Sequence, residues 1–253
     1  MSTVLVTRPD PDGEALCCQL KEAGISAISH PLIVFRAGIS IDELFDRINA
    51  ADIVIAVSKP SVEWADTALK SQSHSWPDKP IYLAVGQKTA DKLSKCVQQT
   101  VHYPIVSDSE NLLELPQLQN VAGKSVLILR GNGGRELIRS QLSAKGATVH
   151  YCEVYQRQAV TFDGHSKAEE WKRRGVDHIV VTSAEQLSIL TNSIPATRHH
   201  WLFAQLLMVP SARIAAMASD LGFCNVKATG SASNPDLLAT IQSLLKIGHT
   251  DDK

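Results

Sequence analysis

What most constrains this chain is that it repeats itself. Val4-Leu5-Val6-Thr7-Arg8 has a counterpart in Val126-Leu127-Ile128-Leu129-Arg130, a displacement of 122 residues. At that displacement Leu16 and Leu20 fall on Ile138 and Leu142, and Gly24 falls on Gly146. Further along the displacement becomes 125, as a three-residue insertion would produce. Asp52-Ile53-Val54-Ile55-Ala56-Val57-Ser58 then matches Asp177-His178-Ile179-Val180-Val181-Thr182-Ser183. Gly86-Gln87-Lys88-Thr89-Ala90 matches Ser211-Ala212-Arg213-Ile214-Ala215, and Asn111-Leu112-Leu113 matches Asp236-Leu237-Leu238. Blocks that keep register at separate places point to an internal duplication.

Each half alternates short β-branched runs with amphipathic stretches, the pattern of parallel βαβ units. The runs 53–57 and 179–181 are nearly continuously apolar, as strands covered on both faces are. The fold class is therefore α/β, with two doubly wound parallel-sheet (Rossmann/flavodoxin-like) lobes. Capping and periodicity predict helices over 12–23, 89–94, 135–145 and 236–245, with Gly24 and Gly146 as left-handed stops. Two runs, 28–36 and 149–160, are long for single strands and occupy equivalent repeat positions. As a pair they make a two-stranded β-ladder linker between the lobes. The polar tail 248–253 is expected to fray.

Composition narrows the class of function. Charged residues form 20% of the chain, and 25 basic residues stand against 26 acidic ones for a net charge of −1. No overall field recruits nucleic acid or an anionic membrane, so an anion site has to be local. The odd set Cys17, Cys18, Cys96, Cys152 and Cys224 lacks C-x-x-C spacing and reads as reduced thiols. The nine histidines show no H-E-x-x-H pattern, which argues against a metal site. The first residues read as an apolar strand, not an export signal, and no apolar run reaches membrane-spanning length. The expected compartment is the cytoplasm.

In doubly wound sheets, ligands bind beyond the carboxyl ends of the strands, where loops enter helix N-termini. Those ends carry Arg8, Ser58, Gly86 to Thr89, Arg130-Gly131-Asn132-Gly133-Gly134-Arg135, Thr182-Ser183 and Ser211. Backbone N–H groups there attract carboxylates or phosphates. Ser58, Ser183 and Ser211 also fit plain helix caps. The glycines of 131–134 match neither dinucleotide nor P-loop spacing and fit a tight turn equally well. Arg8 and Arg130 each follow a strand directly, in equivalent repeat positions. Tyr155, in Val154-Tyr155-Gln156-Arg157, fits either a free hydroxyl facing a cleft or a packed ring. No G-x-S-x-G elbow accompanies the serines.

The order of these blocks resembles the uroporphyrinogen-III synthase family. The resemblance rests on Val4 to Pro9, Ala84-Val85-Gly86-Gln87-Lys88-Thr89-Ala90, Leu129 to Glu136, Val154 to Arg157 and Thr182-Ser183. It runs over nearly the whole chain. It implies a monomer with discontinuous lobes, 1–35 plus 161–253 and 36–160. It also implies a reaction that needs no cofactor: linear hydroxymethylbilane loses water, ring D inverts, and the macrocycle closes as uroporphyrinogen III, a step toward haem. That substrate carries eight carboxylates and ionises by losing hydroxide to an azafulvene cation. In the resemblance Tyr155 assists departure of the hydroxyl, Thr89 matches a family threonine, and Ser58 and Ser183 match cleft hydroxyls; the strand-end residues Arg8, Gly86, Arg130, Gly131, Asn132, Thr182 and Ser211 complete the expected substrate-binding set. Val57 departs from the family's common Thr-Ser pair. Ile214 stands where a Gly-rich turn carries a threonine, with Ser211 as the replacement hydroxyl. A two-lobed cytosolic module that binds a small anion without catalysis is the alternative.

Overall fold

The computed structural model describes residues 2–247. In chain order the elements begin β1 Thr3–Val6, α1 Asp12–Glu22, β2 Ser26–Ser29, β3 Ile33–Ala37, α2 Leu44–Ala50, β4 Ile53–Ala56 and α3 Lys59–Ser71. They continue β5 Ile81–Ala84, α4 Gln87–Val97, β6 Val101–His102, α5 Ser109–Leu113, β7 Ser125–Gly131, α6 Leu137–Ala144 and β8 Thr148–Ala159. The last are α7 Gly164–Arg173, β9 Val176–Val180, α8 Ala184–Ser193, α9 His199–Ala204, β10 Leu206–Val209, α10 Ala212–Leu221, β11 Asn225–Ala228 and α11 Asn234–Ile247.

These elements divide into two compact units. The first is Met1–Val34 with Gln158–Lys253, and the second is Phe35–Arg157. The first holds a five-stranded sheet in the order β11-β10-β9-β1-β2, every pair parallel. A six-stranded sheet, β3-β8-β7-β4-β5-β6, organises the second, and its pairs from β8 to β6 are parallel. The two sheets share a register. Ile53 faces Val126 in one as His178 faces Val4 in the other, and Ile53 faces Ile81 as His178 faces Leu206. Tyr82 faces Val101 as Leu207 faces Val226, and Val126 faces Val149 as Val4 faces Ala27. Each residue reaches its equivalent by the 122- or 125-residue displacement read from the sequence.

The apolar runs are covered on both faces, which is why they do not alternate. All four residues of β1 and of β4 are buried. In the first unit Val4 and Val6 pack with Leu16 and Leu20 of α1 and Leu237 and Ile241 of α11, while Leu5 faces the opposite layer with Leu187 and Ile214. In the second, Val54 and Ala56 pack against α2, α3 and α4, and Ile53 and Ile55 against α5 and α6. Full burial of each such leucine or isoleucine contributes about 1.5–3 kcal/mol.

Several predicted boundaries move. The run 28–36 is two strands, β2 and β3, in different sheets. Pro31 has no N–H to continue a ladder, and the chain around it hugs the end of β1 through His30 N–H to Val6 O and Leu32 N–H to Thr7 O. The second long run is the single twelve-residue strand β8. Its far half runs antiparallel to β3, with Gly38 N–H donating to Val154 O and Val160 N–H to Leu32 O. Helix α6 begins at Leu137 and not at Arg135, because Arg135 and Glu136 are drawn aside into ion pairs with Glu110 and Arg130. Helix α4 is longer than predicted at both ends. Gly24 and Gly146 adopt positive φ, 76° and 86°, as left-handed stops do. The predicted fraying of 248–253 lies outside the described residues.

Candidate functional site

Four helices begin the same way at the carboxyl end of a strand. After β4, β9 and β10 the residue in extended backbone is a serine: Ser58, Ser183 and Ser211. Each hydroxyl oxygen accepts a first-turn N–H, from Ser61 at 3.2 Å, Gln186 at 3.2 Å and Ile214 at 3.5 Å. The capping reading therefore holds for all three. Each leaves its hydroxyl proton to donate elsewhere. At Ser58 the cap is reciprocal, with Ser58 N–H donating to Ser61 Oγ. After β5 the same place is held by Gly86, in the same extended conformation but with no capping side chain. A Cβ there would lie 2.6 Å from the Ser107 side chain, so the glycine makes room for the loop that follows β6. Thr89, one turn into α4, is buried, and its hydroxyl has no partner among the described residues.

Next to Ser183, Thr182 gives both its N–H (2.8 Å) and its hydroxyl (3.1 Å) to Gln186 Oε1. Gln186 is itself 3% exposed. Nothing in the candidate set includes Gln186, although Ser183-x-x-Gln186 carries the spacing of a capping box. Arg8 is held by residues from both ends of the chain. Its guanidinium pairs with Asp12 at 2.8 Å and donates to Ala232 O at 2.9 Å and to Asn234 Oδ1. Arg8 thus ties β1 and α1 to the start of α11.

In the second unit, the loop 131–136 gathers most of the remaining candidates. Gly131 packs under Tyr155: a Cβ on it would fall 2.6 Å from the tyrosine ring. Tyr155 is 8% exposed, with its ring edge-on to Phe35 at 5.6 Å. The packed reading of its ring is therefore correct. Its hydroxyl nevertheless has no hydrogen bond among the described residues and is not sealed from solvent as Trp171 Nε1 is. Asn132 clamps the loop to β8, its amide donating to Arg157 O at 3.2 Å while its Oδ1 accepts Arg157 N–H at 2.8 Å.

Arg130 lies over the Tyr151 ring at 4.2 Å and pairs with Glu136 at 3.0 Å. The Tyr151 hydroxyl donates to the other Glu136 oxygen at 2.8 Å. That bond, followed by Arg130, holds the Glu136 carboxyl below its ordinary range. Burial, then Glu136, raises the Tyr151 phenol, so the tyrosine stays a donor. Arg130 and Tyr151 line a cavity of about 160 Å³ together with Gly133, Gly134, Val57 and Val85. Its lining joins a cation to apolar side chains. Tyr151 and Glu136 escaped sequence reading because their roles come from the turn that folds Glu136 back over β7 and β8.

All five cysteines are unpaired, and burial pushes the Cys152 thiol up to about 11, far from a reactive thiolate. Among the described residues no cluster of His, Cys, Asp and Glu is arranged to hold a metal ion. No described helix is long and apolar enough to cross a membrane.

Comparison with known proteins shows which family the chain belongs to. The family described as uroporphyrinogen-III synthase HemD matches residues 14–239. The uroporphyrinogen-III synthase of Escherichia coli K12 is 44% identical over 245 residues, covering 95% of this chain and 100% of that protein. The chain belongs to the uroporphyrinogen-III synthase family. Its Proteus mirabilis relative is 37% identical, over 76% of this chain and 98% of its own length. Among solved structures, a mutant uroporphyrinogen III synthase from Thermus thermophilus aligns with TM-score 0.63 at 17% identity, covering 97% of this chain and 99% of that one. The Helicobacter pylori 26695 protein aligns with TM-score 0.57 at 16% identity, over 96% and 99%. At those identities the likeness speaks for the α/β fold with parallel sheets. Within this synthase family member, Val57 and Val85 line the same cavity as Arg130.

Proposed function

We propose that this chain is a uroporphyrinogen-III synthase of haem biosynthesis, closing hydroxymethylbilane to uroporphyrinogen III with loss of water and inversion of ring D. The observation that carries the reading is the end-to-end match to the Escherichia coli synthase. The site chemistry agrees with it. A substrate bearing eight carboxylates needs fixed cations and N–H donors, and Arg130 beside the glycine loop supplies them without a basic protein.

In this reading the protein mainly folds a flexible chain so that ring D is attacked at its substituted carbon, an orientation effect. Tyr155 gives its phenolic proton to the departing hydroxyl, which leaves as water, and the azafulvene cation remains to be attacked. The open hydroxyl and the ring held between Gly131 and Phe35 support that role. Ser58, Gly86, Thr89, Arg130, Gly131 and Asn132 of one unit bind substrate, as do Arg8, Thr182, Ser183 and Ser211 of the other. Arg8 and Asn132 contribute to that binding indirectly, by holding the backbone of their loops in place. The enzyme works as a cytoplasmic monomer without cofactor or metal.

The units are the two lobes of a duplicated fold, with β3 and the far half of β8 as the two-stranded linker. The shared sheet order and register support the duplication. Expression in a bacterial strain lacking its own synthase tests the function. Restored growth without added haem is expected, and failure of detectable, soluble protein to restore it would contradict the reading.

A further inference from the structure

Among the described residues, Arg130 is the single charged residue that is buried, at 6% exposure. Burying a charge is costly unless it is paired. A structural ion pair would enclose both partners. Here the cation is enclosed and its partner is not, since the Glu136 side chain is 64% exposed. The anchor is fixed while its counter-ion faces water.

The rest of the Arg130 environment is built for a visiting anion. Nε donates to Gly131 O at 3.2 Å and one face lies on Tyr151, which together fix the guanidinium plane. Nη1 is given to Glu136, and Nη2 has no hydrogen bond among the described residues. Nη2 lies beside Gly134, where φ is +127° and an added Cβ would approach it to 3.4 Å. Glycine at that point keeps one edge of the fork uncovered. The adjoining cavity of about 160 Å³ is smaller than a whole-ligand pocket and suits one acidic arm of a larger molecule. Glu136 is the charge that opposes an incoming anion directly at Arg130, and Asp108 lies in the field of Arg135. Arg135 is matched by Glu110, and Arg139 adds a second cation 5.1 Å from the Tyr151 ring.

We propose that Glu136 is an internal counter-ion that occupies the carboxylate position on Arg130 until a carboxylate of the substrate displaces it, and that Tyr151 positions Glu136 there. The inference rests on the reading of the chain as a synthase acting on the carboxylate-rich bilane. Glu136 lowers affinity for substrate and in exchange keeps the buried cation paired in the empty enzyme. Tyr151 acts through both partners. Its ring supports Arg130, and its hydroxyl retains Glu136.

Steady-state kinetics with hydroxymethylbilane test this. Glu136→Gln removes the competing charge and is expected to lower KM about three- to fivefold, the scale of one exposed ion pair, with kcat within about twofold. Tyr151→Phe keeps the ring and loses the hydroxyl, so KM falls by a smaller factor. Tyr151→Leu loses the ring as well and raises KM. A structural role alone would raise KM or lower kcat in all three. An unchanged or raised KM in both Glu136→Gln and Tyr151→Phe overturns the proposal. The product isomer formed by the unsubstituted enzyme is measured alongside. If it is not the inverted isomer, the synthase reading fails; if it is, a null result in the variants is charged to Glu136 and Tyr151 alone.

Discussion

Gly131 and Tyr155 are one unit of structure, although only the tyrosine brings a reactive group. A Cβ at 131 has nowhere to go, because Tyr155 is wedged between Gly131 and Phe35. Gly131→Ala is expected to cost about 1–3 kcal/mol in denaturant unfolding, the usual range for overpacking. It should also reproduce the kinetic defect of Tyr155→Phe, in which kcat falls more than KM rises. Unchanged turnover in Tyr155→Phe would remove it from the chemistry. His30 makes a separate case. Its Nε2 is enclosed without a partner, and its ring meets Phe162 at 4.7 Å and Trp171 at 5.0 Å. Burial, then Lys167, lowers its pKa below the ordinary 6.5. The unfolded chain therefore takes up this proton first as pH falls. Stability should be flat in this term above about 6.5 and decline below it until the lowered folded-state value is passed. His30→Phe should remove that decline, as read by the denaturant midpoint between pH 7 and pH 5. At this scale the three serine caps were legible, because serine after an apolar strand and before a helix has a local cause. Tyr151 and Glu136 were not, since both act through contacts made by the fold, whereas Gln186 does carry a local signal in the capping-box spacing from Ser183.

Among the elements, strands were more legible than helix starts. Continuous apolar runs such as Ile53–Ala56 have one physical explanation, burial on both faces, and the structure gives it. The start of α6 depends on Arg135 reaching Glu110, 25 residues away, which no local pattern contains. The separation of β2 from β3 does have a local signal in Pro31, which has no N–H to continue a ladder. Caps give the element-scale prediction. Ser183→Ala leaves the Gln186 N–H without its acceptor and should cost about 1 kcal/mol, seen as a lower denaturant midpoint at constant m. No loss of stability would mean that Gln186, through its contacts to Thr182, starts the helix alone.

Over the whole molecule, repetition was written in the sequence as two displacements, and the same two displacements relate the registers of the two sheets. Each sheet takes strands from both halves of the chain: β1 and β2 join β9 to β11, while β4 to β6 join β7 and β8. On the proposed reading, a protein of net charge −1 that takes a substrate with eight carboxylates concentrates its cations at chosen points, and the buried Arg130 is proposed as such a point. On that reading the chemistry to be controlled is one of outcome and not of rate alone, because closure of the linear chain without inversion gives a different isomer. The decisive measurement is thus to supply hydroxymethylbilane at saturating protein and separate the products. Predominance of uroporphyrinogen III is the expected result, and predominance of isomer I would contradict it.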